Sequence, residues 1–229
     1  MAKRTRTLLA RPEARSAEAR YWPVFDRASG RIRGVELAAA IGTDGPGDDL
    51  FEAVATELAG GIAAELGWWV SVRLDGRRVA WPGTPYVVAD VLRRSGLHPA
   101  RLVLVADEAD LAEGVRAGSV AALAALGVRF AVADFGSGAL RPQQLRHIPV
   151  ACLRLSLTGL IPSDGADVAL LRSVVAGAEA LEMEVLAADV ETDDQVALAA
   201  LGGISLVQGY LWGSAGPLAK LLSTWARSA

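Results

Sequence analysis

The sequence predicts an α/β fold, a TIM-like (β/α)8 barrel in which strands and helices alternate along the chain. Segments of strand character recur with helical segments between them, at a spacing of about 30 residues per unit. Several predicted strands, such as Leu102–Val105, are continuous apolar runs, which is typical of strands covered on both faces. The length of 229 residues suits one barrel domain. An open doubly wound sheet is the alternative.

The N-terminal region divides into a basic segment and the first predicted strands. In residues 1–20, lysine and arginine outnumber glutamate, which indicates a leader or short helix ahead of a single barrel domain at 21–229. Tyr21–Phe25 and Arg31–Ala40 are predicted strands. A turn at 28–30 joins them into a hairpin, so one strand near the N-terminus is antiparallel. Asp48–Leu66 is a predicted helix with an aspartate cap.

The remaining elements follow from apolar periodicity and from the residues that begin and end them. The predicted strands are Trp69–Leu74, Arg101–Val105, Arg129–Asp134, Ala151–Leu157, Glu184–Ala188 and Ser205–Val207. The predicted helices are Thr84–Ser95, Asp107–Leu126 with breaks near Gly114 and Gly118, Pro142–His147, Asp167–Glu182, Asp193–Leu201 and Pro217–Arg227.

Composition excludes several classes of function. The net charge of −3 provides no basic field for nucleic acid, and no apolar run is long enough to span a membrane. The single cysteine, Cys152, cannot form an internal disulfide and is expected to be a buried small side chain. These features predict a cytoplasmic protein.

Polar residues at the ends of predicted strands are the candidates for a functional site. In a barrel, the C-terminal strand ends and the loops after them gather at one mouth. His98 and His147 instead precede strands, on the opposite face, so histidine chemistry is not expected at the mouth. The candidates are Glu36, Arg73, Asp75, Glu108, Asp134, Arg154, Ser156, Glu191 and Gln208.

Short motifs in the same regions resemble those of one enzyme family. Tyr21–Asp26 is similar to YQPIVD, Gly34–Ala38 to GxEAL, Ala133–Gly138 to DDFGTG and Val207–Trp212 to VQGYLF. In this order and spacing they resemble EAL domains, bacterial phosphodiesterases that linearise cyclic di-GMP. The resemblance implies a barrel whose mouth holds two divalent cations on carboxylates.

The resemblance also divides the site positions into retained and substituted ones. The retained residues are Glu36, Asp134, Glu191, Gln208 and Glu108. At the substituted positions the family's residue is glutamine for Trp22, arginine for Ala40, asparagine for Arg73, glutamate for Val105 and Ala188, aspartate for Ala133 and Ser156, and lysine for Arg154.

These substitutions predict that the chain binds no metal, needs no cofactor and is not an active enzyme. Arg73 is expected to replace a cation by pairing with Glu36 or Asp134. The predicted function is regulation through an unknown protein partner, with a homodimer surface at Gly136–His147. The alternatives are a non-hydrolytic receptor for cyclic di-GMP or another nucleotide or anion, and a weak phosphodiesterase. Ligand contacts for a receptor would be Trp22, Arg73, Arg154 and Gln208.

Overall fold

Eight strands close into a barrel in the part of the chain that the structure describes. This structure is a computed structural model and describes residues 19–38, 67–74, 76–135 and 138–225. Its strands are β1 Arg20–Asp26, β2 Ile32–Ala38, β3 Trp69–Arg73, β4 Leu102–Asp107, β5 Arg129–Ala133, β6 Val150–Ser156, β7 Glu184–Ala188 and β8 Leu206–Val207.

The strands lie in sequence order around the barrel. β2 to β8 pair in parallel, and β1 is antiparallel to both of its neighbours, β2 and β8. The prediction of a TIM-like barrel with one antiparallel strand near the N-terminus is confirmed. The predicted helix at Asp48–Leu66 and residues 1–18 of the predicted leader lie outside the described residues, so those predictions and the domain boundary stay untested.

Helices follow most of the described strands. They are α1 Gly76–Ala80, α2 Thr84–Ser95, α3 Glu108–Ala117, α4 Ser119–Ala125, α5 Pro142–Leu145, α6 Gly165–Glu179, α7 Asp193–Gly202 and α8 Leu218–Trp225, with a short 3-10 helix at Pro99–Arg101. The bounds of α2 agree with the prediction because proline marks its first turn and Gly96 ends it with φ 66°.

One helix prediction is wrong, and one helix was not predicted. Gly118, at φ 78°, separates α3 from α4, whereas Gly114 lies inside α3 and does not break it. A side chain at Gly114 would clash, since its Cβ would lie 2.6 Å from Val79 Cγ1. Helix α1 was not predicted, because its five residues are too few to show an apolar period.

Small and medium side chains fill the barrel interior. Val24, Val105, Ala131, Cys152 and Leu186 pack there in one cluster. A second, larger cluster fills the layer between the strands and the outer helices. The predicted burial of Cys152 is confirmed, since its exposed fraction is 8%. None of the helices within the described ranges is long and apolar enough to cross a bilayer.

Candidate functional site

The C-terminal ends of the strands surround a cleft of about 250 Å³, which we call the mouth cleft. Five residues selected from the sequence line it, which are Trp22, Glu36, Arg73, Arg154 and Gln208. Asp189 and Tyr210 line it as well and were missed. The barrel therefore gathers residues from β2, β3, β6 and the β8 loop at one place, as the strand-end rule predicts. Trp22 joins them because β1 is antiparallel, which brings its N-terminal end to the mouth.

An ion pair crosses the barrel beneath this cleft. Glu36 lies on β2 and Arg154 on β6, on opposite sides of the closed sheet. The Arg154 guanidinium donates through Nη1 to the Glu36 carboxylate, and both side chains are about nine-tenths buried. Because a buried carboxylate without a partner is costly, Arg154 supplies the opposite charge that compensates the burial of Glu36.

Gln208 extends the same network. Arg154 Nη2 donates to Gln208 Oε1 at 3.2 Å, which fixes the orientation of the side-chain amide. Its Nε2 is buried and has no hydrogen-bond partner in the described structure. A buried donor of this kind costs about 1–3 kcal/mol. Gln208 Nε2 is thus a donor, on the wall of the cleft, that an acceptor could satisfy.

Glycine at position 209 holds the β7 and β8 loops together. Val190 N–H donates to the Gln208 carbonyl at 2.9 Å, and Leu211 N–H donates to the Val190 carbonyl at 3.2 Å. Gly209 has φ 151°, and a Cβ there would lie 2.2 Å from the Val190 nitrogen. The close approach that places Gln208 and Tyr210 in the cleft therefore requires glycine.

The predicted partner of Arg73 is wrong. Arg73 lines the cleft, but its Nη1 donates to Asp107 Oδ1 at 2.6 Å rather than pairing with Glu36 or Asp134. The parallel register sets Arg73 beside Val105, so Asp107 follows two residues later at the neighbouring strand end. This pair is about 40% exposed on both sides. Arg154, not Arg73, neutralises the retained glutamate of the mouth.

Aromatic rings form one wall of the cleft. Trp22 and Tyr210 meet edge to face with ring centroids 4.8 Å apart. Asp189, also in the wall, has φ 55°, an uncommon conformation for a residue other than glycine. A signal for Asp189 was present in the sequence, because residues 185–192 resemble the EAL-family motif VIAEGVET, which has glycine at this position.

Other sequence-selected residues lie away from the cleft. The buried Glu108 accepts from Leu140 N–H at 2.8 Å and so holds the loop after β5. Asp134 is exposed at φ 51°, and Glu191 is exposed at the start of α7. Ser156 Oγ bonds to Thr158 Oγ1 at 3.0 Å. Ala40 and Asp75 lie outside the described residues, as do Gly136 and Ser137 of the predicted dimer surface.

The donor set does not fit the two-cation site that the resemblance implies. Val105, Ala133 and Ala188 are buried and offer no side-chain oxygen, while the Glu36 carboxylate is occupied by a guanidinium. Mg²⁺ and Mn²⁺ require several hard oxygen ligands. Within the described ranges, no group of three or more histidine, cysteine or carboxylate side chains is placed to hold a metal ion.

The described histidines occupy the positions expected of them, away from the mouth. His98 caps the 3-10 helix before β4, where its Nδ1 accepts from Ala100 N–H at 3.3 Å. His147 is exposed in the turn before β6. Both lie at the N-terminal end of the barrel, so the structure brings no described histidine to the mouth cleft.

Comparison with known proteins gives the family. The family model for the EAL domain matches residues 5–215. The chain belongs to the EAL domain family. It is 28% identical over 163 residues to the bifunctional diguanylate cyclase/cyclic di-GMP phosphodiesterase MucR of Pseudomonas aeruginosa, in a match that covers 69% of this chain and 24% of that protein. The chain therefore spans about a quarter of the length of this curated relative.

Solved EAL structures share the fold. A PaMucR phosphodiesterase structure, a c-di-GMP complex, superposes with a TM-score of 0.74 at 26% identity, over 90% of this chain and 99% of that one. The EAL domain of Mycobacterium smegmatis DcpA gives 0.75 at 22% identity, over 92% and 96%. In the present chain, Glu36 occupies the position of the glutamate in the EAL motif, and its carboxylate is paired with Arg154.

Proposed function

We propose that this EAL domain is catalytically inactive and acts as a regulatory domain by contact with another protein. One observation carries the proposal, namely that the buried Arg154 bonds to Glu36 across the barrel mouth. A guanidinium in this place repels a divalent cation and occupies the carboxylate that would bind it. Its charge is fixed, because arginine does not titrate in proteins.

The loss of metal ligands explains why hydrolysis is not expected. Metal-assisted hydrolysis relies on cations to polarise the phosphate and to lower the pKa of the attacking water. The apolar side chains at Val105, Ala133 and Ala188 provide no replacement for that chemistry. Arg154, where the family has lysine, cannot exchange a proton at neutral pH. A regulatory role through protein contact needs none of these groups, and a cytoplasmic location is part of the proposal.

A turnover assay tests this proposal. The purified chain is incubated with cyclic di-GMP and Mg²⁺ or Mn²⁺, with the EAL domain of MucR as the positive control, and the linear product is measured. We expect no product above background from this chain. Measurable metal-dependent turnover by this chain would contradict the proposal and would assign the chain to the hydrolases.

The lining of the mouth cleft favours a second candidate, a receptor that binds a cyclic dinucleotide or another anion without cleaving it. Arg73 offers guanidinium donors, Gln208 offers its unpartnered Nε2, and Trp22 with Tyr210 offers ring surfaces. The volume opposes it, since about 250 Å³ is below the ~300–1,000 Å³ usual for ligand pockets. We therefore rank regulation by protein contact first.

Calorimetry separates the two candidates. The chain is titrated with cyclic di-GMP with and without Mg²⁺. Heat that saturates without turnover, and that Trp22→Ala and Arg73→Ala reduce, selects the receptor. Arg93→Ala is the matched control, because Arg93 is an exposed helical arginine that pairs with Asp90 away from the cleft. No heat in a chain that is folded selects regulation by protein contact.

A further inference from the structure

The N-terminal end of the barrel carries a groove of about 410 Å³, larger than the mouth cleft. It lies between the turn before β6 and the turn before β7, at the start of β5, on the face opposite the mouth. Its volume falls within the ~300–1,000 Å³ usual for small-molecule sites, whereas that of the mouth cleft does not. The N-terminal face of such barrels ordinarily serves stability, so a groove of this size is unusual at that end.

The floor of this N-terminal groove is apolar. Ile148, Val150 and Met183 line it and are each less than a tenth exposed, and the half-buried Leu181 adds to it. The apolar surface of the groove that stays open to solvent includes the exposed Pro149 and the half-buried Leu181. Such area gains free energy when a ligand covers it, at about 25 cal/mol per Å². The floor therefore selects a ligand with an aliphatic or aromatic body.

Charges at the rim select the head group. Arg129 is half-buried and Arg146 is exposed, and neither guanidinium has an ion pair or hydrogen bond with a residue that the structure describes. A partly buried cation without a counter-ion favours an anionic ligand, and a guanidinium fork matches a carboxylate. Glu182 also lines the groove, which leaves one net positive charge and disfavours a doubly charged head group.

We propose that the N-terminal groove binds a small amphipathic carboxylate, with its apolar body on the Ile148–Met183 floor and its carboxylate at Arg129 and Arg146. The proposal goes beyond the function proposed for the mouth and does not depend on it. Turnover or binding of cyclic di-GMP at the opposite face leaves it unchanged, so the two proposals fail separately.

Three probes of one chain length test the site, namely octanoate, 1-octanol and octylammonium. Each is titrated into the whole chain while backbone amide shifts are followed by NMR. We expect octanoate to saturate, with the largest shifts in residues 145–150 and 180–183. We expect octanol to bind about tenfold more weakly, because it lacks the charge-assisted hydrogen bonds, and octylammonium more weakly still.

Substitutions locate the carboxylate. Arg129→Gln should weaken octanoate about tenfold and leave octanol unchanged. Arg146→Gln is the second variant, because an exposed side chain can be replaced without loss of folding, and it should also weaken octanoate selectively. Arg116→Gln is the matched control, since Arg116 is exposed on α3 and pairs with Glu113. Equal affinity for octanoate and octanol, shifts outside the groove, or insensitivity to both groove variants would each overturn the proposal.

Discussion

The two ends of this barrel use arginine in opposite ways. At the C-terminal end, Arg154 is buried and bonded to Glu36 and Gln208. At the N-terminal end, Arg129 and Arg146 line a groove and form no ion pair with a described residue. A neutralised charge holds the structure together and leaves little attraction for a ligand, while an unpaired one keeps that attraction. The C-terminal end, which corresponds to the family's mouth, is therefore the end whose buried arginine is less available to a ligand.

Removal of Arg154 gives the largest expected effect on this comparison. Arg154→Leu leaves Glu36 buried without a counter-ion, and we expect the free energy of unfolding to fall by about 3–5 kcal/mol. Arg73→Leu is the matched control, because the exposed Arg73–Asp107 pair should contribute less than about 1 kcal/mol. Urea denaturation with an unchanged m-value measures both.

The double variant Glu36→Leu/Arg154→Leu sharpens this result. It removes both charges, so it should lose less stability than Arg154→Leu alone. Comparison of the double variant with both single variants, Arg154→Leu and Glu36→Leu, gives the coupling free energy. If Arg154→Leu and Arg73→Leu lose equal stability, the ion pair does not hold the mouth together and the contrast between the two ends disappears.

The sequence predicted the barrel and most of the mouth because each depends on local signals. Apolar runs and capping residues predict strands and helices, and parallel strands deliver their ends to one mouth, so Glu36, Arg154 and Gln208 could be selected. Trp22 was selected only through the resemblance to EAL domains. Which side chains pair across the barrel depends on register and rotamer, which the sequence does not show. The partner of Arg73 was therefore wrong, and Asp107 was missed although it lies at the next strand end.

Features without a periodic signal could not be predicted from the sequence. Helix α1 has only five residues, and the N-terminal groove is assembled from two turns far apart in the sequence. Asp189 is different, because the EAL-family motif that residues 185–192 resemble has glycine at this position. The Asp189 φ of 55° explains why glycine is usual there. A charged residue at the glycine position of a family motif therefore indicates a residue with positive φ, here in the wall of the mouth cleft.

Substitution of Gly209 breaks the mouth without touching a charge. Gly209→Ala places a Cβ 2.2 Å from the Val190 nitrogen and forces the two loops apart. We expect a loss of about 2–6 kcal/mol, from overpacking and backbone strain of about 1–3 kcal/mol each. Gly177→Ala in α6 is the control, because nothing lies within 4 Å of its Cβ and alanine should raise stability slightly. A Gly209→Ala chain as stable as the native one would mean that the loops can separate freely.

Between the two ends, Cys152 reports on the dryness of the barrel interior. Burial raises the pKa of the Cys152 thiol from 9.0 to about 12, an effect that nearby Arg154 opposes. The folded state therefore favours the neutral thiol, and the stability this provides is present below pH 9.0 and is lost as pH rises toward 12. We expect the thiol to account for a loss of about 1.4 kcal/mol between pH 8 and pH 10.

Comparison with Cys152→Ala isolates this contribution, because other titrating groups are common to both chains. Urea denaturation at the two pH values gives the free energy of unfolding of each. The native chain should lose about 1.4 kcal/mol more than the variant over this interval. Equal losses would show that the thiol ionises as easily in the folded barrel as in the unfolded chain, and that water reaches the interior.

The smallest expected effect concerns the wall of the N-terminal groove. Helices α6 and α7 end alike, with a residue at positive φ whose successor bonds back into the last turn: Met183 N–H to Ala178 at 2.9 Å and Ile204 N–H to Ala199 at 2.8 Å. In α7 that residue is Gly203, at φ 81°, but in α6 it is Glu182, at φ 57°. This conformation costs a non-glycine residue about 1–2 kcal/mol. Glycine avoids that cost, but it also raises the conformational entropy of the unfolded chain, which offsets part of the gain in stability.

Glu182→Gly should therefore raise the free energy of unfolding by about 0.5–1 kcal/mol. Gly203→Ala, which removes glycine from the equivalent position of α7, should lower it by about 1 kcal/mol. Urea denaturation measures both, and octanoate titration of Glu182→Gly adds a second readout. Since the variant removes the carboxylate that opposes Arg129 and Arg146, octanoate should bind it more tightly than it binds the native chain. A variant that gains stability and binds octanoate no better would place the carboxylate head away from this wall, even if the helix end behaves as expected.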